Sequence, residues 1–230
     1  MLKRLIRSAF DRAGYYVVAH GYTTHLVLRD TLKSALEDVD LVFDVGANIG
    51  QYGTYLRKEI GYRGRIMSFE PNPADFRRCE ELAAADGKWD VHNFALGEKE
   101  EVLQLNVMAE TGLNSFYDPV PSQFAGNKVV EQVPVPVRRL DSVVTEAEGA
   151  FLKCDTQGHD LAVFRGATGI LNQLKGIQTE LSVLPIYANM PSMAEAITEL
   201  QGYGFSIACL SPVSKTPDGK VIEFDCVMLR

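Results

Sequence analysis

After residue 40 the chain keeps two alternating rhythms. Short apolar runs rich in β-branched residues, DLVFDV (40–45), GRIMSFE (64–70) and WDVHNFAL (89–96), predict strands, and 50–60 and 73–85 carry apolar residues at helical spacing between them. Strand, helix, strand, helix, strand is the pattern of a parallel sheet with crossover helices. The rhythm breaks over 98–138, where a strand-like EEVLQLNVMA is followed by a loop rich in Gly, Asn and Pro and then by VPVPV. Pro134 and Pro136 cannot donate ladder hydrogen bonds, so that piece is expected at an edge or as an irregular extension. The rhythm resumes with strands in GAFLKCD (149–155) and IQTELSVL (177–184) and with helices over 159–174 and 191–202. Two closing strands, GFSIACL and VIEFDCVMLR, are separated by the turn-rich SPVSKTPDG and are expected to pair antiparallel.

Ahead of this lies MLKRLIRSAF, with Leu2, Leu5, Ile6, Ala9 and Phe10 on one helical face and Lys3, Arg4, Arg7 and Arg12 elsewhere. It lacks the apolar core of a signal peptide. The favoured reading is a leading helix that packs on the domain or on a second subunit, as in a homo-oligomer. A basic amphipathic helix making peripheral contact with an anionic membrane is the alternative. The chain thus divides into an N-terminal helical extension, 1–37, and one α/β domain, 38–230. Composition narrows the class. With 46% apolar and 23% charged residues the chain is an ordinary globular protein, and a net charge of -7 argues against a nucleic-acid partner. Cys79, Cys154, Cys209 and Cys226 are too far apart for a C-x-x-C pair and read as reduced core thiols. No apolar run approaches a membrane span, so the cytoplasm is the expected compartment.

In an open α/β sheet, ligands bind outside the carboxyl ends of the strands. There the sequence reads D-x-G-x-N-x-G over Asp44, Gly46, Asn48 and Gly50. Glycines let the chain turn tightly and let a ligand lie on the backbone. The spacing is not the dinucleotide G-x-G-x-x-G. It resembles the first motif of S-adenosylmethionine-dependent methyltransferases, whose loop packs on the methionine and sugar part of the cofactor. Glu70 ends the second strand, 20 residues beyond Gly50, where a carboxylate can accept both ribose hydroxyls. Pro71 and Asn72 follow it in SFEPNP. Asn93 and Ala95, in NFALG, lie near the end of the third strand, where the adenine ring packs in such proteins.

DVGANIGQYG, SFEPNP, FALG, RLDSV, LKCDTQGHDLAVFRGA and QTELSVLPIY occur in this order. Together they resemble the FkbM-like methyltransferase family over about residues 38–230. The resemblance implies a Rossmann-like seven-stranded methyltransferase sheet, mostly parallel with an antiparallel last strand and helices on both faces. It implies S-adenosyl-L-methionine as cofactor and O-methylation of a hydroxyl, on a sugar of a surface glycan or on a natural product. The acceptor partner is then a small molecule or glycan.

Transfer to an alcohol oxygen needs a base for its proton. Asp155 ends the fourth strand and is the family-consistent candidate. His159, four residues on, is a second candidate at a position where the family carries other residues. Glu180, inside an apolar strand, is a third, because a carboxylate there needs a partner. Gln157 stands where many family members have Glu, which weakens the case for a metal. A divalent ion between Asp155 and Glu180, joined by Asp225, is the alternative; no metal site is assigned. The patternless loop 110–128 offers Asn114, Ser115 and Tyr117 for sugar hydroxyls and Phe116 or Phe124 for stacking, and is expected to order over the active site. Two readings from other classes remain: a non-catalytic scaffold of the same fold, and a nicotinamide-dependent dehydrogenase, which lacks its preferred glycine spacing and a Tyr-x-x-x-Lys set.

Overall fold

The computed structural model of the chain describes residues 23–121 and 127–230, together with Phe10. The basic amphipathic face at the N-terminus and Phe124 lie outside the described residues. Among the described residues, ten strands and six α-helices follow one another: α1 (Thr23–Ala35), β1 (Leu41–Val45), α2 (Gln51–Tyr55, continued by a π-helical turn, Leu56–Ile60), β2 (Arg65–Phe69), α3 (Pro73–Ala83), β3 (Trp89–His92), β4 (Ala95–Leu96), β5 (Glu101–Met108), β6 (Val129–Arg138), α4 (Leu140–Val143), β7 (Phe151–Cys154), α5 (Asp160–Arg165), β8 (Gly176–Ser182), α6 (Met193–Gly202), β9 (Ser206–Lys215) and β10 (Val221–Leu229).

Seven strands form one sheet in the order β3-β2-β1-β7-β8-β10-β9. All neighbours run parallel except β10, which is antiparallel to both β8 and β9. This is the seven-stranded, mostly parallel sheet that the resemblance implies. Strand side chains alternate between its faces. Phe43, Val45, Leu152 and Cys154 point into a core with Leu161, Phe164, Leu171 and Leu200 from the α5 and α6 side. Val42, Ile66 and Phe151 point the other way, into a core with Leu28 and Leu32 of α1, Leu56, and Cys79 and Ala83 of α3. Leu32 is fully buried there, a contribution of about 2 kcal/mol for such a side chain. The described part of the expected 1–37 extension therefore shares a core with the sheet, and α1 rests on β9, β10 and the π-helical turn. All four cysteines are buried and unpaired. Among the described residues, no helix is long and apolar enough to cross a membrane.

Four local expectations change. WDVHNFAL is two strands in two sheets: β3 joins the large sheet and β4 joins a three-stranded sheet ordered β4-β6-β5. The chain breaks at Asn93, whose side-chain amide donates to the carbonyls of Glu70 (2.9 Å) and Pro71 (3.1 Å) and draws it toward the end of β2. VPVPV is part of β6, the middle strand of the small sheet. Its prolines are tolerated because β4 reaches only Val137 and Arg138, which leaves the flank along Pro134 and Pro136 open. The helix expected over 159–174 stops at Arg165, because the chain turns at Gly166, where the carbonyl of Gly97 leaves no room for a Cβ. Much of SPVSKTPDG is strand; β9 runs to Lys215 and only 216–220 turn.

Candidate active site

β1 lies between β2 and β7, so the chain winds away from β1 in opposite directions. At that switch point a crevice opens outside the carboxyl ends of the strands. It holds a cavity of about 650 Å³, within the size range of small-molecule sites. Its two ends are built differently.

At the β2 end the walls are Val45–Asn48, Phe69–Pro71, Ala95 and Leu96. The loop after β1 is tied to β2 by Gly46 N–H and Ala47 N–H, which donate to Phe69 O at 3.0 and 3.1 Å. Gly46 sits at φ +74°, and a Cβ there would stand 1.9 Å from the carbonyl oxygen of Asp155. Only glycine lets the loops after β1 and β7 approach this closely. Glu70 is buried, 5% exposed. Its Oε2 accepts from Asn48 N–H at 2.7 Å and its Oε1 from Asn72 N–H at 2.8 Å. Burial raises its pKa, and these two main-chain donors oppose the rise, leaving it at about 7. Each oxygen keeps a lone pair for a further donor. Asn72 is the N-cap of α3, accepting from Ala74 N–H at 2.9 Å, with Pro73 at the first helical position.

Not every motif residue faces the cavity. Gly46, Asn48, Glu70, Pro71 and Ala95 line it; Asp44, Gly50, Asn72 and Asn93 do not. Gly50, at φ +86°, faces Cys79, Leu82 and Trp89 and serves the packing of α2 on α3. Asp44 is fully buried. It accepts from Ser68 Oγ (2.9 Å) and Lys153 Nζ (3.1 Å), and Ser68 Oγ accepts in turn from Trp89 Nε1 (2.9 Å).

Lys153 is not among the site residues the sequence suggests, yet it lines the cavity. Its ammonium also donates to Gly46 O (3.1 Å), stands 3.7 Å from Asp155 Oδ2 and lies 5.2 Å from the centre of the Tyr52 ring. Burial pulls its pKa down, but Asp44 and Asp155 outweigh burial and hold it above the ordinary lysine value. The signal was present: one lysine in the apolar strand FLKC and one aspartate in the apolar strand LVFDV need each other if both are buried.

Asp155 is the more open carboxylate, with its side chain 44% exposed. Gln157, at φ +53°, spans the gap to Glu180; its Nε2 donates to Asp155 Oδ1 (2.9 Å) and Glu180 Oε2 (3.1 Å), and its Oε1 accepts from Tyr187 Oη (3.0 Å). Glu180 does not line the cavity. Burial, and then the Asp155 charge, push its pKa well up, so the neutral acid is favoured. Among the described residues, no group of three or more His, Cys, Asp or Glu is placed to hold a metal ion.

His159 also lies away from the cavity wall. It is tucked against Phe116 (ring centres 4.9 Å apart) and Tyr117 (6.1 Å), and neither ring nitrogen has a partner among the described residues. Burial lowers its pKa to about 4. A histidine so placed holds a proton poorly at neutral pH and does not line the cavity, whereas Asp155 does. From the loop that follows β5, Gly112, Asn114 and Phe116 reach the cavity wall. Ser115 Oγ donates to Gln157 O at 2.7 Å and so ties this loop to the turn after β7.

The far end of the cavity is walled by His25 and Arg29 of α1, Tyr52 and Tyr55 of α2, Gln178 of β8 and Asp225 of β10. Tyr52 Oη donates to Gln178 Oε1 (2.9 Å), and Gln178 Nε2 donates to Asp225 Oδ1 (3.0 Å). Burial raises the pKa of Asp225, against the lowering effect of the Gln178 bond.

The family model for the Methyltransferase FkbM domain matches residues 44–207. A curated relative, the hexuronic acid methyltransferase AglP of Haloferax volcanii, is 28% identical over 163 residues, which cover 67% of this chain. The match spans 61% of that relative's length. Among solved structures, a methyltransferase FkbM from Methylobacillus flagellatus KT superposes with a TM-score of 0.55 at 16% identity, over 84% of this chain and 44% of that one. An rRNA methylase from Streptococcus thermophilus gives 0.51 at 13% identity, over 92% and 99%. These two likenesses are of fold.

Proposed function

The chain belongs to the FkbM methyltransferase domain family, and from that premise we propose that it is an S-adenosylmethionine-dependent O-methyltransferase acting on a sugar hydroxyl. The observation that carries the reading is the β2 end of the cavity. There a glycine turn abuts a buried glutamate whose oxygens are fixed by main-chain N–H groups and face the cavity. That pair suits a ribose with two hydroxyls to donate and an adjoining chain to lay on bare backbone. Pro71, Phe69, Ala95 and Leu96 offer apolar surface for a flat ring.

When bound, S-adenosylmethionine supplies an electrophilic methyl group on sulfur. The chain's own residues then have separate tasks. Glu70 accepts the ribose hydroxyls, and the loop 46–48 holds the cofactor's position. Asp155 receives the acceptor hydroxyl's proton on a carboxylate oxygen, and Lys153 stands 3.7 Å away. Gln157 fixes Asp155 from the other side. Holding acceptor oxygen and methyl group in line contributes most of the acceleration. The sugar acceptor is favoured by the AglP relative, whose acceptor is a hexuronic acid. With Glu70 and Asp155 both facing the cavity, an enzyme is favoured over a scaffold.

Calorimetric titration with S-adenosylhomocysteine tests this. Wild type is expected to bind in the micromolar range, and Glu70→Ala, folded by circular dichroism, about 100-fold more weakly, the loss of two charge-assisted hydrogen bonds. No binding by folded wild type would overturn the reading.

A further inference from the structure

We propose that the end of the cavity between α1 and β10 is the acceptor subsite and that it receives a sugar ring against Tyr52 and Tyr55, with ring hydroxyls donating to Asp225. The inference rests on the cofactor lying at the β2 end, as proposed above, and it adds where the acceptor lies and what holds it.

Sheet order separates the two ends. Glu70 and the 46–48 loop follow β2 and β1, whereas Gln178 and Asp225 belong to β8 and β10, beyond β7. Lys153 and Asp155 of the β7 edge stand between, where a methyl group and a hydroxyl must meet. A cofactor anchored at Glu70 therefore leaves the α1 end for the second substrate.

The chemistry of that end fits a polyol. Tyr52 and Tyr55 stand 6.4 Å apart between ring centres, tilted by 39°, and aromatic faces take the apolar face of a sugar while their hydroxyls stay polar. Asp225 Oδ1 is occupied by Gln178, and Oδ2 has no hydrogen-bond partner among the described residues. A carboxylate oxygen accepts only, so it selects a donor such as a hydroxyl. Arg29 closes the end from α1, its guanidinium oriented by Asp30 through bonds of 3.1 and 3.0 Å.

An independent observation points the same way. His25 and Arg29 precede the family-matched segment 44–207, and Asp225 follows it. The cofactor end lies wholly inside that segment. Half of the walls of the α1 end, His25, Arg29 and Asp225, thus come from the two flanks of the shared domain, where acceptor specificity can differ between members without disturbing cofactor binding.

Saturation-transfer NMR, with S-adenosylhomocysteine present and a panel of methyl glycosides (glucuronide, glucoside, galactoside, mannoside) as probes, tests the proposal. At least one glycoside is expected to bind wild type. In both Tyr55→Ala and Asp225→Asn its affinity should fall about tenfold or more, while S-adenosylhomocysteine affinity stays within about twofold. Two substitutions on different elements guard against one that fails to fold. Glycoside binding unchanged in both variants would overturn the location. No glycoside binding by wild type that binds S-adenosylhomocysteine would overturn the sugar subsite while leaving the cofactor reading intact. Absence of both would remove the cofactor reading and this inference with it.

Discussion

The two ends of the cavity solve the same problem with different materials. At the Glu70 end the polar surface is fixed by main chain. One loop and one carboxylate are locked by amide N–H groups over two short contiguous segments, 44–50 and 69–72. At the α1 end the surface is side chain, drawn from four elements, α1, α2, β8 and β10, that are distant in sequence. Main chain positioned by a strand-to-helix turn cannot be varied residue by residue, because the turn depends on backbone conformation. Side chains can be exchanged singly. The first arrangement suits a ligand common to many proteins, the second a ligand that differs among them. Lys153 marks the boundary, holding the main chain of the first end by Gly46 O and the ring of the second end at Tyr52.

If the Glu70 end is rigid main chain, it should tolerate almost nothing. The sharpest probe is Gly46→Ala, which puts a Cβ 1.9 Å from Asp155 O at a positive φ. It is expected to lose more than about 4 kcal/mol in urea denaturation, from overpacking and left-handed strain together. A loss below about 1 kcal/mol would mean the loop adapts, and the contrast between the two ends would fail. Next in size is Lys153→Met, which leaves Asp44 buried without its cation. Destabilisation of about 3–5 kcal/mol is expected, and Asp44→Leu combined with it should recover part of that loss. Independent, additive effects would show that the two charges do not act as a pair. The smallest effect is one of pH. Glu70 has its pKa raised to about 7, so below that value it takes up a proton and loses acceptor capacity. S-adenosylhomocysteine affinity should therefore fall as pH drops through 7, by up to about tenfold per unit, or 1.4 kcal/mol, and should lose this dependence in Glu70→Gln. A flat wild-type profile from pH 5 to 8 would detach Glu70 from the ligand.

How much of this was legible in the sequence follows the same division. The β1 turn and Glu70 are contiguous signals, and the parallel alternation of strands and helices gave the large sheet. Within the motif, spacing alone could not say which residues face a ligand. Asp44 and Gly50 sit beside Gly46 and Asn48 in the chain, but Asp44 is buried beneath the cavity against Lys153, and Gly50 packs against Trp89. Tyr52, Gln178 and Asp225 meet only because β10 inserts antiparallel between β8 and β9, a register no local pattern carries. His159 stood out by following Asp155 at helical distance. The loop with Phe116 and Tyr117 covers it, and contacts across more than 40 residues of sequence are not visible in periodicity. The split of β3 from β4 depends on the side chain of Asn93 reaching across to β2, again a long-range bond.

The buried polar chain beneath the cavity has a consequence for assembly of the sheet itself. Trp89, Ser68, Asp44 and Lys153 come one each from β3, β2, β1 and β7, four successive neighbours in the sheet, and are joined end to end by hydrogen bonds of 2.9, 2.9 and 3.1 Å. Parallel strands with apolar runs on both faces have little in their hydrophobic pattern to tell one alignment from another. A shift of any one strand by a single residue would turn its member of the chain to the opposite face and strand its neighbours without partners in an apolar layer, at a cost of about 1–3 kcal/mol for each orphaned group. The relay thus works as a combination lock across the middle of the sheet: only one alignment of four strands closes it, and that alignment is the one that brings Gly46, Glu70 and Asp155 to the same rim.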